Sequence, residues 1–250
     1  PPAGSRLRAR NLAVGRPGGP VVAEGIDLDL GPGDRLAVVG PSGIGKTTLL
    51  LTLAGMLRPR AGELTLDGAA PWGAARGEVA ERVSLTAEDA HVFSTSVLEN
   101  LRVARGSVSR PEAADLLERA GLGPWLTALP EGLDTEIGPD ATTLSGGERR
   151  RLLLARALAA PAPLMLLDEP GEHLDAAAAD RLVADLLDAD ASRGVLLVTH
   201  RLSALAGADR VLVMGRPAPD RPAGVLRRGT HAALADHDDA YRWALSQEEQ

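Results

Sequence analysis

The chain has 250 residues, 44% of them hydrophobic, and a formal net charge of −7. That is enough for one domain, or one domain with a large insertion, and too apolar for disorder as the main state. The acidic balance gives no support for a nucleic-acid binder, and the absence of cysteine excludes disulfides, thiolate metal sites and cysteine nucleophiles.

Aromatic residues make up only 2%, so the core must be aliphatic. No run of about 18 apolar residues occurs, so no membrane-spanning helix is expected. Pro1 to Arg10 lacks an apolar signal-peptide core and reads as a linker. Nearly every basic residue is Arg, and Lys46 is the one lysine. A sequence that uses Arg wherever either cation will serve keeps Lys where a compact ammonium on a flexible stem is required.

In chain order, Ile26, Leu28 and Leu30 alternate with Asp27 and Asp29, which predicts a half-exposed strand. Gly31 to Asp34 is a turn, and Arg35 to Val39 a short apolar strand. A Gly-rich loop then opens a helix over Thr47 to Leu57. Strands are predicted over Glu63 to Leu66 and Arg82 to Thr86. From about Thr95 to Leu144 the pattern becomes short helices broken by Gly and Pro, Ala113 to Ala120 among them, and Glu148 to Ala160 is an amphipathic helix. Leu164 to Leu167 is an apolar strand, Ala176 to Leu187 a helix, and Val195 to Val198 and Val211 to Met214 two further apolar strands. Pro217 to Pro222 reads as a surface loop. Apolar strands alternating with helices predict a mostly parallel sheet covered on both faces, with its chemistry at the carboxyl ends of the strands.

Four clusters fall at such ends or at helix starts. Gly40-Pro41-Ser42-Gly43-Ile44-Gly45-Lys46-Thr47 is G-x-x-x-x-G-K-T between a strand and a helix, the P-loop. Its glycines let main-chain N–H groups converge on phosphate oxygens, the helix N-terminus adds partial positive charge, Lys46 reaches the β- and γ-phosphates, and Thr47 offers a hydroxyl to Mg²⁺. Thr48 extends this nucleotide-binding set. The alternative is a plain Gly-rich turn, which does not call for the strand-to-helix context. Leu164 to Leu167 ends in Asp168 and Glu169. Alone that is often a solvated turn; downstream of a P-loop it predicts a Mg²⁺ ligand, Asp168, and a general base, Glu169. Leu144-Ser145-Gly146-Gly147-Glu148 opens the next helix and can be an N-cap, a second phosphate cradle, or both. Thr199-His200 ends a strand; a lone His is more often structural.

With these four in this order, the sequence resembles the nucleotide-binding domain of an ABC exporter along nearly its whole length. The resemblance implies an α/β fold: a RecA-like P-loop NTPase with a mostly parallel sheet core, an antiparallel β arm, and an α-helical subdomain at about 95–157. It implies ATP and Mg²⁺ as ligands, ATP hydrolysis coupled to transport, His200 as the switch histidine on the γ-phosphate, and Ser145, Gly146, Gly147 and Glu148 acting on the ATP of a partner. That partner is a second nucleotide-binding domain, expected to be a heterologous subunit. A membrane domain, absent from this chain, would place it at the cytoplasmic face of the cell membrane, and no nucleic acid is involved. Leu174-Asp175 looks like the D-loop, and Glu131 to Gly138 is similar to the X-loop region that touches the membrane domain. Phe93, Val97, Glu99 and Asn100 match an exporter pattern, as do Arg228 to His231 with Tyr241. Residues 88–93 and 171–173 look most like the C-type subunit of the heterodimeric cysteine/glutathione exporter. Two departures stand out. Glu88 aligns with a Gln that helps hold Mg²⁺. No aromatic stands at Val14 to Arg16 to stack on adenine, leaving Arg16 as the candidate. Glu148 also replaces a common Gln, with little effect expected. The rival functions are a soluble ABC ATPase without transport, disfavoured by the single cassette, and a non-catalytic half, disfavoured by Glu169.

Overall fold

The computed structural model describes residues 4–86, 91–138, 144–172, 174–188 and 192–248. It divides into two compact units, Pro1–Leu85 with Ala162–Glu169 and Val183–Gln250, and Thr86–Pro161 with Pro170–Leu182.

The first unit holds two sheets. β1 (Leu7–Val14) lies between β2 (Ala23–Leu30) and β4 (Ala61–Leu66) in a three-stranded antiparallel sheet. Its register sets Leu7 opposite Leu30 and Leu66, and Ala9 opposite Leu28 and Leu64, so one apolar face is complete and fully buried. Asn11 sits at φ 45° where the register shifts, and Gly62, at φ 79°, passes so close that a Cβ would stand 2.1 Å from the Asn11 carbonyl oxygen. Only glycine fits there. Leu7 to Arg10, expected as linker, are thus strand. The short Leu-x-Ala alternation is weak alone and becomes a strand because two neighbours supply its partners.

The larger sheet has the order β5-β6-β7-β3-β8-β9, with β3 (Arg35–Val39), β5 (Val83–Thr86), β6 (Leu164–Asp168), β7 (Gly194–Val198), β8 (Arg210–Gly215) and β9 (Gly224–Gly229). β6, β7, β3 and β8 run parallel, and β9 pairs antiparallel at the edge. Every residue of β3 and β7 is buried, as strands covered on both faces require. β9 escapes sequence reading because Arg227 and Arg228 interrupt its pattern on an exposed edge.

Helix α1 (Lys46–Leu53) buries Leu49, Leu50 and Leu53 in the same core as β1, β3 and β6. It stops short of the expected Leu57. Gly55, at φ 71°, donates to the Thr52 carbonyl while Met56 donates to Leu51, which is the paired closure of a Schellman cap. Short α2 (Arg76–Ala80) follows.

The second unit is helical: α3 (Val97–Arg102), α4 (Arg110–Arg119), α5 (Gly123–Ala128) and α6 (Gly146–Ala159), with α3 and α4 packed on α6. α7 (Ala176–Asp188) begins in this unit. The first unit ends in α8 (His231–His237) and α9 (Asp239–Glu248). No described helix is long and apolar enough to cross a membrane.

Candidate functional site

Three neighbouring strands of the larger sheet bring the polar clusters together. Val38 of β3 and Asp168 of β6 are both level with Val198 of β7. Strands are spaced about 4.8 Å apart, so Asp168 and Val38 stand about 10 Å apart across β7. The P-loop leaves β3 after Val39, Asp168 closes β6, and His200 follows β7 by two residues. All three therefore converge on the carboxyl edge of a parallel sheet, where the helix and loop termini leave room for a ligand.

The P-loop owes its shape to its glycines. Gly40 has φ 151°, and a Cβ there would meet the Met214 carbonyl oxygen at 2.5 Å, so a strand of the core presses directly on the loop. Gly45, at φ 102°, is the N-cap of α1, and a Cβ on it would touch Val22 at 3.0 Å. With no side chain capping α1, its first N–H groups stay open to an anion. The Lys46 Nζ donates to the Gly40 and Pro41 carbonyls at 2.7 and 3.0 Å, and Lys46 is only 8% exposed. The ammonium is thus held inside its own loop. Ile44 is buried beneath the loop, while Pro41, Ser42, Gly43 and Thr47 face outward. The Thr47 hydroxyl has no side-chain hydrogen bond among the described residues. Thr48 is half-buried, and its carbonyl accepts from the Thr52 hydroxyl at 2.8 Å. The curled glycines, the enclosed ammonium and the free hydroxyl suit a nucleotide phosphate with its cation.

Glu169 stands just past β6 with φ 45°, one of the few non-glycine residues in the left-handed region. That conformation costs roughly 1 kcal/mol and persists where the surroundings fix it. Its N–H donates to the Val198 carbonyl at 3.0 Å, and its Oε2 accepts from the His200 main-chain N–H at 3.2 Å and meets the imidazole Nδ1 at 2.9 Å. The hydrogen bond to Glu169 holds the His200 pKa above its ordinary 6.5; burial opposes this and the Glu169 charge adds to it. Among the described residues no group of three His, Asp or Glu side chains converges to hold a metal alone, so a cation here would lean on phosphate oxygens beside Thr47 and Asp168.

Arg16 is exposed in the turn closed by the Gly19 N–H on its carbonyl at 3.0 Å. That loop returns to the P-loop, since Val22 bonds to the Val14 carbonyl and lies against Gly45. Val14 itself is fully buried. Val22 and Met214 shape the loop and carry no sequence signal, because their contacts are set by tertiary packing. Glu88 lies outside the described residues, as does His173.

In the second unit Ser145 and Glu148 form a capping box. The Ser145 hydroxyl accepts from the Glu148 N–H at 3.2 Å, and the Glu148 carboxylate accepts from the Ser145 N–H at 2.7 Å and from its hydroxyl at 2.8 Å. Gly146 and Gly147 are the first residues of α6. Asp175 caps α7 by accepting from the Ala178 N–H at 2.9 Å. Asn100 explains the pattern around Phe93: fully buried, it accepts from the Phe93 N–H at 2.9 Å and donates to the Phe93 and Ser96 carbonyls. Residues 131–138 are pinned to this turn by the Ile137 N–H on Thr95 and the Val97 N–H on Thr135, and Asp134 takes a two-pronged contact from Arg110. The Arg156 guanidinium lies 5.8 Å from the Phe93 ring centroid, and burial lowers its pKa.

The family model described as ABC transporter matches residues 23–172. The chain is 36% identical over 217 residues to the ATP-dependent lipid A-core flippase of Photobacterium profundum, covering 86% of this chain and 36% of that protein. It is 40% identical over 237 residues to the ABC transporter ATP-binding protein RamB of Streptomyces coelicolor, covering 94% of this chain and 37% of that one. The structure of a bacterial Atm1-family ABC exporter with ATP bound superimposes with a TM-score of 0.86 at 25% identity, over 99% of this chain and 42% of that one. The chain therefore spans little more than a third of the curated relatives it matches. It belongs to the ABC transporter family.

Proposed function

We propose that this chain binds ATP with Mg²⁺ and hydrolyses it to drive export of a substrate across a membrane. The P-loop main chain from Gly40 to Thr47, with Lys46 and Thr48, holds the phosphates, and Arg16 lies against the base in place of the missing aromatic. Thr47 and Asp168, with Glu88, would hold Mg²⁺, which would neutralise phosphate charge. Glu169 takes the proton of the attacking water as it adds to the γ-phosphorus, and ADP departs. His200, fixed by Glu169, donates to the γ-phosphate oxygens. Ser145, Gly146, Gly147 and Glu148 complete the ATP site of a second nucleotide-binding domain, for which a heterologous subunit is the finer reading. The helical unit is the subdomain that carries this signature, and residues 131–138 face a membrane domain at the cytoplasmic side of the membrane. The resemblance at residues 88–93 and 171–173 supports cysteine or glutathione as the substrate.

The observation that carries this reading is the contact of Glu169 with His200 one strand away from the P-loop, because an acid and an imidazole joined at a strand edge can hold and move a proton beside a phosphate. Glu169→Gln keeps the shape and removes the base. Turnover should fall by about 10²-fold or more while ATP binding is retained. Steady turnover by that variant with a competent partner would show that another group activates the water.

A further inference from the structure

The loop that carries His200 is held at both ends by side chains. Five successive main-chain N–H groups, from Thr199 to Ser203, all find acceptors. Thr199 donates to the Val38 carbonyl, His200 to Glu169, and Arg201 to the Thr199 hydroxyl. The last two, on Leu202 and Ser203, go to one carboxylate, Glu248. Its Oε1 and Oε2 each lie 2.9 Å from the Leu202 nitrogen, and Oε2 accepts from the Ser203 N–H and hydroxyl at 3.1 Å each. Glu248 stands at the end of α9, 46 residues along the chain from Leu202. A carboxylate taking main-chain N–H groups and a hydroxyl makes charge-assisted bonds, stronger than the neutral ones inside a turn. Glu169 meets the His200 ring directly, and the more distant negative charge of Glu248 adds to that of Glu169 in favouring the protonated ring, while Arg201 opposes it.

Leu202 is buried and anchors the far side of the loop, whereas the His200 side chain is 62% exposed. Its position rests on Glu169 in front and on the path of the backbone behind. We propose that Glu248 is a positioning residue for His200: the carboxylate of the last helix fixes the backbone after β7 so that the imidazole meets Glu169 at the phosphate edge. The inference rests on the role given to His200 above. It makes α9 part of the catalytic support, so that displacement of this helix would slacken the hydrolytic site without touching the P-loop.

The test compares Glu248→Ala, Glu248→Gln, His200→Ala and the double variant His200→Ala with Glu248→Ala, in the 250-residue chain at high concentration. Glu248→Ala should lower kcat about 10-fold, the scale of a misplaced catalytic group, with the KM for ATP unchanged, and should move the His200 ring signal in the ¹H–¹³C NMR spectrum. Glu248→Gln, which keeps an acceptor oxygen for the two N–H groups, should recover most of the rate. Adding Glu248→Ala to His200→Ala should cost nothing further, because both act through one group. A His200 ring signal that stays in place in Glu248→Ala, or losses that add in the double variant, would overturn the proposal. If His200→Ala alone turns over ATP at the parent rate, the catalytic role of His200 fails instead, and the ring signal still reports whether Glu248 positions it.

Discussion

The Glu169 carboxylate holds His200 twice with one oxygen, by the main-chain N–H at 3.2 Å and by the imidazole at 2.9 Å. Backbone and ring are thereby fixed together, across the gap between the tips of β6 and β7. Glu169 itself is held in the left-handed region, at φ 45°, in the turn after β6.

The contact predicts a pH dependence. The folded chain holds the His200 pKa above its ordinary 6.5, so it favours the protonated ring. The stability this contributes is fully present below the unfolded value of about 6.5 and is lost as pH rises through the raised folded value. With the ring 62% exposed, water screens the pair and the effect on stability is small. The titration itself is the better readout. Replacing Glu169 by Gln should lower the His200 pKa toward its ordinary value in an NMR titration of ring protons. An unchanged midpoint would mean the two side chains do not meet in solution.

The capping box gives a prediction on stability. Ser145 and Glu148 satisfy each other's N–H groups at the start of α6, so Glu148→Ala should destabilise the chain by about 1 kcal/mol, the worth of a lost cap. Glu148→Gln should cost less, since an amide oxygen can still accept from the Ser145 N–H. Chemical denaturation measures both. Equal stability of all three chains would show that the box contributes nothing in water.

Much of this was legible in the sequence, and for identifiable reasons. β3, β6 and β7 are continuous apolar runs with no polar interruption, and each ends in a cluster whose spacing is fixed by backbone geometry: the glycines of the P-loop, Asp168 with Glu169, and Thr199 with His200. Ser145 declared itself as a cap by residue type alone. What stayed hidden depends on partners far along the chain. β1 gains its identity from β2 and β4, and β9 from the edge of β8. The helical patterns of α8 and α9 are short, with few buried residues, Leu234 and Tyr241 among them. Nothing local in the sequence says that the Glu248 carboxylate meets Leu202 and Ser203. Glu148 closes the capping box with Ser145, a place that the Gln it replaces would also fit.

The central claim is that the Gly40–Thr47 loop takes the phosphates of ATP, and Lys46 is where it can be tested most directly. Its Nζ already sits among the Gly40 and Pro41 carbonyls, and no other lysine exists in the chain to replace it. Calorimetric titration of ATP and Mg²⁺ into the parent chain and into Lys46→Ala is the measurement. Loss of a charge-assisted contact should weaken binding by at least about 10-fold. Near-parental affinity in Lys46→Ala would contradict the assignment of the nucleotide site to this loop.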